Sequence, residues 1–305
     1  MHRLFFIFQK GPGTRTMHRT FFISCLQFHI NAKDPRILLE NLSEFAFPVC
    51  PVRRTISVNV AVCSDLVSSG RPLFHCASYA VFEEEGSIRY DYLRGGTDRY
   101  VCARHRGDEI SVCVLPDAAR KPLRIWQYLA IEDLLLKEDV LILHSAGILY
   151  QKKAILFSAP SGTGKSTQAE LWKRHRPDVR GLNGDRNLLY EREGIWYTGG
   201  LPWHGNAADC RNTETPLGAI AIVHRSPSDA AKLLPPAKQY TALYSQITVH
   251  TWDPAACAQV WSLIGKLIRA VPVIRLDCTM QPSAVDALES YLFPLRGSEP
   301  YHGTF

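Results

Sequence analysis

No apolar run in this chain approaches the roughly 20 residues that a membrane-spanning helix needs, which excludes such a span. No dense run of Lys and Arg with interleaved aromatics occurs, so nucleic acid is not an expected partner. Cysteines stand at 25, 50, 63, 76, 102, 113, 210, 257 and 278, yet no two form a C-x-x-C pair. Neither a zinc site nor a dithiol redox motif is signalled, and the scattered thiols fit buried, reduced residues of a cytoplasmic protein. No acidic residue precedes Asp34. Within that stretch, Met1-His2-Arg3-Leu4-Phe5-Phe6-Ile7 is echoed by Met17-His18-Arg19-Thr20-Phe21-Phe22-Ile23. An Arg-bearing, acid-poor start fits a transit peptide. The plainer reading, which we prefer, makes Met17 the start and residues 1–16 an upstream or non-native extension. The apolar run at 4–8 is too short for a secretory signal. Beyond the echo there is no internal repeat and no low-complexity segment.

What is present is ordinary in bulk. A chain of 305 residues has room for two domains, and 46% hydrophobic with 21% charged residues suits a soluble protein. The net charge of +6 fits an anionic ligand such as ATP without requiring one. From about residue 17 to 120 the pattern is strand-like. Residues 55–62 alternate with period two, and two hairpins are read around Glu83-Glu84-Glu85-Gly86 and His105-Arg106-Gly107-Asp108. A small antiparallel β domain is expected there, without a catalytic constellation. The cluster Arg104-His105-Arg106 is read as a turn. Residues 116–122 form the expected joint.

A second domain is expected over 121–294, with a tail at 295–305. Its predicted elements are a helix at 123–137, strands at 140–144, 146–150 and 154–157, a helix at 167–174 and a return strand at 179–185. A hairpin then turns at Arg192-Glu193-Gly194, a loop runs over 199–214, and a buried strand follows at 217–224. Helices are predicted at 237–249, Pro254–Ala270 and Ser283–Leu292, with a strand at 271–276. Glu132 lies on the apolar track of the first helix, where a solvated carboxylate is the plainer reading.

The most informative stretch is Ala159-Pro160-Ser161-Gly162-Thr163-Gly164-Lys165-Ser166-Thr167. An apolar strand leads into it and a helix leaves it, which is the arrangement that binds a triphosphate. Its glycines let successive N–H groups turn toward phosphate oxygens, and the helix N-terminus adds partial positive charge. Ser161 to Thr167 are the expected nucleotide-binding residues. Lys165 would reach the β- and γ-phosphates, and the Ser166 hydroxyl would ligate Mg²⁺. Ala159 stands where the first glycine is usual. An ordinary Gly-containing turn is the alternative, and the strand and helix in the right order weigh against it.

Asp185 follows Lys165 by one helix and one strand. A carboxylate there can hold the metal or take a proton from an attacking hydroxyl. His144 ends the strand predicted at 140–144. His204 and Asp209 lie in the long loop, where a substrate-facing role and a solvated one are evenly balanced.

Leu143-His144-Ser145-Ala146, the run 156–167 and Asn183-Gly184-Asp185-Arg186 together resemble the kinase domain of HPr kinase/phosphorylase and its relatives. These include kinases of modified-peptide gene clusters and, more distantly, the nucleotide half of ATP-dependent PEP carboxykinase. The resemblance covers roughly residues 122–292. It implies an α/β (α+β) mixed-sheet P-loop kinase domain that uses ATP and Mg²⁺, with a serine of a peptide or small protein as acceptor. Residues 162–166 would hold phosphates and metal, and His144 would lie near the γ-phosphate. The family shows two adjacent aspartates where this chain has Gly184-Asp185. Asp185 therefore does both jobs, or activity is low. The bifunctional enzyme's N-terminal domain and second signature loop are not recognisable, which argues against HPr as substrate. A homo-oligomer is compatible with the resemblance. A non-catalytic ATP-binding regulator and a small-molecule kinase are the alternative functions.

Overall fold

The computed structural model describes residues 16–34, 37, 43–66, 70–120, 123–203 and 209–294. The expected tail, most of the expected N-terminal extension, and His204 lie outside these. The chain divides into two compact units, Met1–Ile131 and Glu132–Phe305, so the division falls after Ile131 and beyond the expected joint. The protein is mixed α and β, with two large mixed sheets and more strands than helices.

In the first unit, β1 (Met17–Ile23) and β2 (Leu26–Ala32) form a hairpin, and Phe21 stacks on Phe28 with ring centroids 4.7 Å apart. Strand β3 (Arg54–Val62) lies parallel to β2. Strands β4 (Arg71–His75), β5 (Tyr79–Glu84), β6 (Ser87–Arg94), β7 (Asp98–Arg106) and β8 (Glu109–Val114) form an antiparallel run, and β8 returns parallel to β3. The order is β1-β2-β3-β8-β7-β6-β5-β4. The expected purely antiparallel domain is therefore corrected to a mixed eight-stranded sheet. Alternating hydrophobicity marks a strand but not its direction. Parallel neighbours need long connections, and the two parallel pairs here are those not joined by tight turns. Both predicted hairpins form. Arg104 is bonded to Glu84 at 2.5 Å across the sheet, so it is a strand residue rather than a turn residue. Arg89, fully buried, is ion-paired to Glu84 at 2.5 Å and Asp91 at 3.0 Å. Such a pair is needed to offset the desolvation of its charge.

The predicted helix at 123–137 is broken. A 3₁₀ turn at Ile125–Tyr128 gives way, through Ala130 at φ +40°, to a short helix α1 (Ile131–Leu136). Helical spacing of apolar residues does not distinguish one helix from two turns that share a buried face. Strand β9 (Leu141–Tyr150) then runs unbroken through the place where two strands were expected. Strand β10 (Lys153–Ser158) turns back along it and delivers helix α2 (Lys165–His175). Strand β11 (Arg180–Asn183) pairs with the second half of β9, and β12 (Arg186–Arg192) with the first half. A hairpin joins β12 to β13 (Ile195–Gly200), which pairs with the start of β14 (Thr215–Arg225).

Strand β14 lies parallel to β10 and to a later strand, with β15 (Ala230–Leu233), helix α3 (Pro236–Tyr244) and helix α4 (Pro254–Ala270) intervening. That later strand is β16 (Val273–Cys278), and helix α5 (Ser283–Leu292) follows it. The predicted helix at 237–249 stops early, because residues 246–248 are drawn out along the first half of β9. His144 N–H donates to the Gln246 carbonyl and Thr248 N–H to the Ile142 carbonyl.

Both faces of this sheet are covered. Ile155, Phe157, Ala219, Ala221 and Val223 join Trp172 of α2 and Leu288 of α5 in one core. Leu156, Ile220, Ile222 and Val273 join Val260 and Ile264 of α4 in another. Two-sided burial explains why β10 and β14 read as continuous apolar runs rather than alternating ones. Helix α4 begins as the sequence predicts. The Asp253 side chain accepts from the amides of Ala255 at 2.9 Å and Ala256 at 3.2 Å, and Pro254 occupies the first turn. Asp253→Ala should lower stability by about 1 kcal/mol in urea unfolding. A loss below about 0.3 kcal/mol would show that the cap contributes little.

Candidate active site

Residues 159–164 leave β10 and turn sharply into α2. Gly162 at φ +76° and Gly164 at φ +122° adopt a backbone that other residues resist. No side chain caps α2, so its first amides keep no acceptor within the helix or from a cap. The Lys165 ammonium folds back onto the carbonyls of Ala159 at 2.8 Å and Pro160 at 3.3 Å. Burial pushes its pKa down, and the Asp185 charge opposes that shift. Arg225, at the end of β14, grips the loop from the other side through the carbonyls of Thr163 at 3.1 Å and Gly162.

Asp185 is placed by a buried amide. Asn183 closes β11, and its Oδ1 accepts the amides of Asp185 at 2.8 Å and Arg186 at 3.0 Å. Its Nδ2 donates to the Leu201 carbonyl at 2.7 Å. Asp185 thus sits in the turn between β11 and β12, two residues beyond the end of β11 rather than at the strand end expected for it. His144 lies mid-strand in β9, opposite Arg186, and not at a strand end. Its Nε2 is 3.4 Å from Asp185 Oδ1. The His144 hydrogen bond lowers the Asp185 pKa, with help from Arg186 and Lys165, and burial opposes it. On the far side, Arg186 Nε is 3.6 Å from Asp185 Oδ2.

A cleft of about 1020 Å³ gathers these parts. His144, residues 161–167, Gly184 and Asp185 all line it, together with Arg225, Ser226 and Thr279 from the ends of β14 and β16. Strands β10, β14 and β16 are parallel, and the cleft lies beyond their carboxyl ends, where open α/β sheets receive ligands.

No family model and no curated protein matches this chain. Among solved structures it matches the Hpr(Ser) kinase/phosphatase from Coxiella burnetii, at 10% identity and a TM-score of 0.29. The match covers 49% of this chain and 94% of that one. A likeness of this size is a distant one of fold, and it fixes no activity or substrate.

Two expectations fare differently. Asp209 does not line the cleft. Its carboxylate accepts from Lys173 of α2 at 2.6 Å and packs against Gly181, where a Cβ would come within 2.0 Å of it. Glu132, read as solvated, is bonded to His250 Nε2 at 3.1 Å, while Asp133 takes His250 Nδ1 at 2.8 Å. The same cluster reaches the site, because the Arg186 charge stabilises the Glu132 carboxylate and Arg186 also donates to Thr248 Oγ1 at 2.5 Å. Trp203 lies 5.9 Å from the Arg186 guanidinium, as an anchor for that side chain. Arg225 and His250 carried no sequence signal. Their roles arise from strand ends and segments far apart in the chain.

Two titrations follow. The Asp185 carboxyl should titrate below 3.8 in carbon NMR, and His144→Ala should raise it. An unchanged value in that variant would remove His144 as the cause. Burial works against charging His250, but its bonds to Asp133 and Glu132 win and raise its pKa from 6.5 to about 10. Folding thus retains a proton that the unfolded chain releases. That contribution to stability is complete below pH 6.5 and is lost as pH rises through about 10. His250→Gln should flatten the fall in urea stability across this window, and an unaltered slope would contradict the pairing.

Proposed function

We propose that this chain is a phosphotransferase that moves the γ-phosphate of Mg·ATP to a hydroxyl, the acceptor being a serine of a peptide or small protein. The observation that carries the reading is the meeting of Lys165, Ser166, Asp185 and His144 on one cleft. The serine acceptor rests on the resemblance of residues 143–146, 156–167 and 183–186 to the HPr kinase type.

The residues suit both ligands. Uncapped amides at the start of α2 and the glycine conformations make a cradle for phosphate oxygens. Among the described residues no cluster of three or more His, Cys, Asp or Glu could hold a metal alone. That suits Mg²⁺, which takes one or two protein oxygens and completes its shell with phosphate and water. Ser166 and Asp185 would be those oxygens. The bound nucleotide would supply the phosphoryl group, and the metal would offset its charge.

The chain's own groups do the rest. Lys165 would exchange the Ala159 and Pro160 carbonyls for phosphate oxygens, whose charge favours its protonated form. Asp185, already ionised, accepts a hydrogen bond from the acceptor hydroxyl and orients it. A carboxylate with a lowered pKa is a weak base, so it receives the proton late, as the hydroxyl oxygen gains its new bond. His144 holds that carboxylate in place. A second reading, an ATP-binding regulator without transfer, is favoured by Gly184 on the cleft wall, where the family pattern has a second aspartate.

Label transfer from γ-labelled ATP to serine peptides should fall roughly 10²–10³-fold in Lys165→Ala and roughly 10²–10⁴-fold in Asp185→Asn. Calorimetry should show ATP binding weakened only in the former. Transfer equal in wild type and Lys165→Ala would sink the kinase reading. Tight ATP binding with no transfer to any offered acceptor would favour the regulator.

A further inference from the structure

A second pocket of about 420 Å³ stands on the other side of the phosphate loop. Its wall includes Ala159 and Pro160, the two residues whose carbonyls hold Lys165. Gln246, whose carbonyl holds the His144 amide, lines it as well. The pocket therefore abuts the same two catalytic candidates as the cleft, from the side that residues 161–167 do not face. Its size is that of a small-ligand site.

The lining is cationic. Helix α3 presents Lys238, Thr241 and Ala242, with Ser245 just past its end, and the four recur at the spacing of one helical face. The strands opposite contribute His224 and Arg275. Among the described residues, Lys238 has no acidic partner. Arg275 is bonded to Asp277 at 2.7 Å, and that same carboxylate also lies 3.8 Å from Lys232. One carboxylate thus serves two cations, and a third, Lys238, is left unmatched. Burial, and then the Arg275 charge, lower the His224 pKa, so its imidazole is neutral and can donate one hydrogen bond. Ile222 and Leu234 supply an apolar floor.

We infer that this pocket is the acceptor subsite and that it receives an acidic residue flanking the acceptor serine, with Lys238 as the group that selects it. The inference rests on the phosphotransferase reading for the word acceptor, and its test is a binding measurement that does not need transfer. A carboxylate side chain of two or three carbons fits the volume and finds Lys238 and Arg275 in the same lining.

Fluorescein-labelled peptides Glu-Glu-Ser-Glu-Glu and Gln-Gln-Ser-Gln-Gln are titrated by anisotropy into the full chain, into Lys238→Glu and into Lys266→Glu. Lys266 is an exposed residue of α4 outside the pocket lining, and its reversal makes the same change in net charge. The acidic peptide should bind wild type at least tenfold more tightly than the neutral one. Lys238→Glu should erase that preference, and Lys266→Glu should keep it. Equal binding of the two peptides overturns the inference, and so does an equal loss in both variants, which would mark diffuse attraction to a basic protein. Millimolar succinate that displaces the acidic peptide would assign the pocket to a small acid and overturn the peptide assignment. Charge-selective binding with no label transfer would leave the subsite standing and remove only the kinase reading.

Discussion

The candidate centre depends on one buried side chain, the amide of Asn183. Its oxygen accepts two successive backbone amides, and its nitrogen reaches across to the Leu201 carbonyl. A fully buried amide left without those partners would cost about 1–3 kcal/mol, so the turn from β11 to β12 has one favourable conformation. That conformation puts the Asp185 carboxylate on the cleft and the Arg186 chain against Thr248. A second buried amide, Asn187, donates to the carbonyl and hydroxyl of Ser145 and ties the same turn to the middle of β9. His144 is the neighbour of that anchor. Of the two side chains that meet at 3.4 Å, Asp185 is thus two residues from each buried amide, and His144 is next to the Ser145 that Asn187 holds.

Charge at the centre is arranged around a single carboxylate. Lys165 is pushed toward its neutral form by burial, and Asp185 is pulled toward its charged form by His144 first and then by Arg186 and Lys165. Lys165, Arg186 and Arg225 nonetheless outnumber the one Asp beside them. Arg225 adds a further charge at the mouth of the loop. A polyanion entering such a site would offer these cations acceptors of opposite charge in place of neutral backbone carbonyls. Under the proposed function, the loop carbonyls held by Lys165 and Arg225 would give way to phosphate oxygens.

Much of this was legible in the sequence, and the failures have physical reasons. The strand, the glycine-containing turn and the helix around Lys165 were readable because their signal is local, strand and helix being joined by one short turn. The hairpins, the Asp253 cap and the bounds of α4 and α5 were readable for the same reason. What failed was non-local. Strand direction in the first unit is set by which strands meet, and alternation is silent on that. The helix over 237–249 was cut short because residues 246–248 found hydrogen-bond partners on β9, more than a hundred positions earlier. Asp209 looked like a loop residue facing a substrate, and Lys173 together with the bare backbone of Gly181 claimed it instead. Glu132 looked solvated because its partner, His250, is equally remote.

Gly184 is the departure that bears most on the proposed chemistry, and the geometry narrows what it means. Glycine there lines the cleft and supplies no carboxylate, so among the described residues the acidic lining is Asp185 and Glu170, the latter paired with Lys173. A second carboxylate at position 184 would adjoin Asp185 on the same cleft. Two carboxylates so close cannot both ionise without a metal between them. With one, ionisation is secured by the protein's own cations, and Asp185 is charged before any metal arrives. In the proposed reaction the single-carboxylate site would have one metal ligand fewer and keep a carboxylate whose ionised form its neighbours favour. Mg²⁺ held by Ser166, Asp185 and phosphate oxygens would be more weakly fixed than with two aspartates. The dependence of turnover on magnesium concentration, rather than the presence or absence of turnover, is where the loss of that aspartate should be felt.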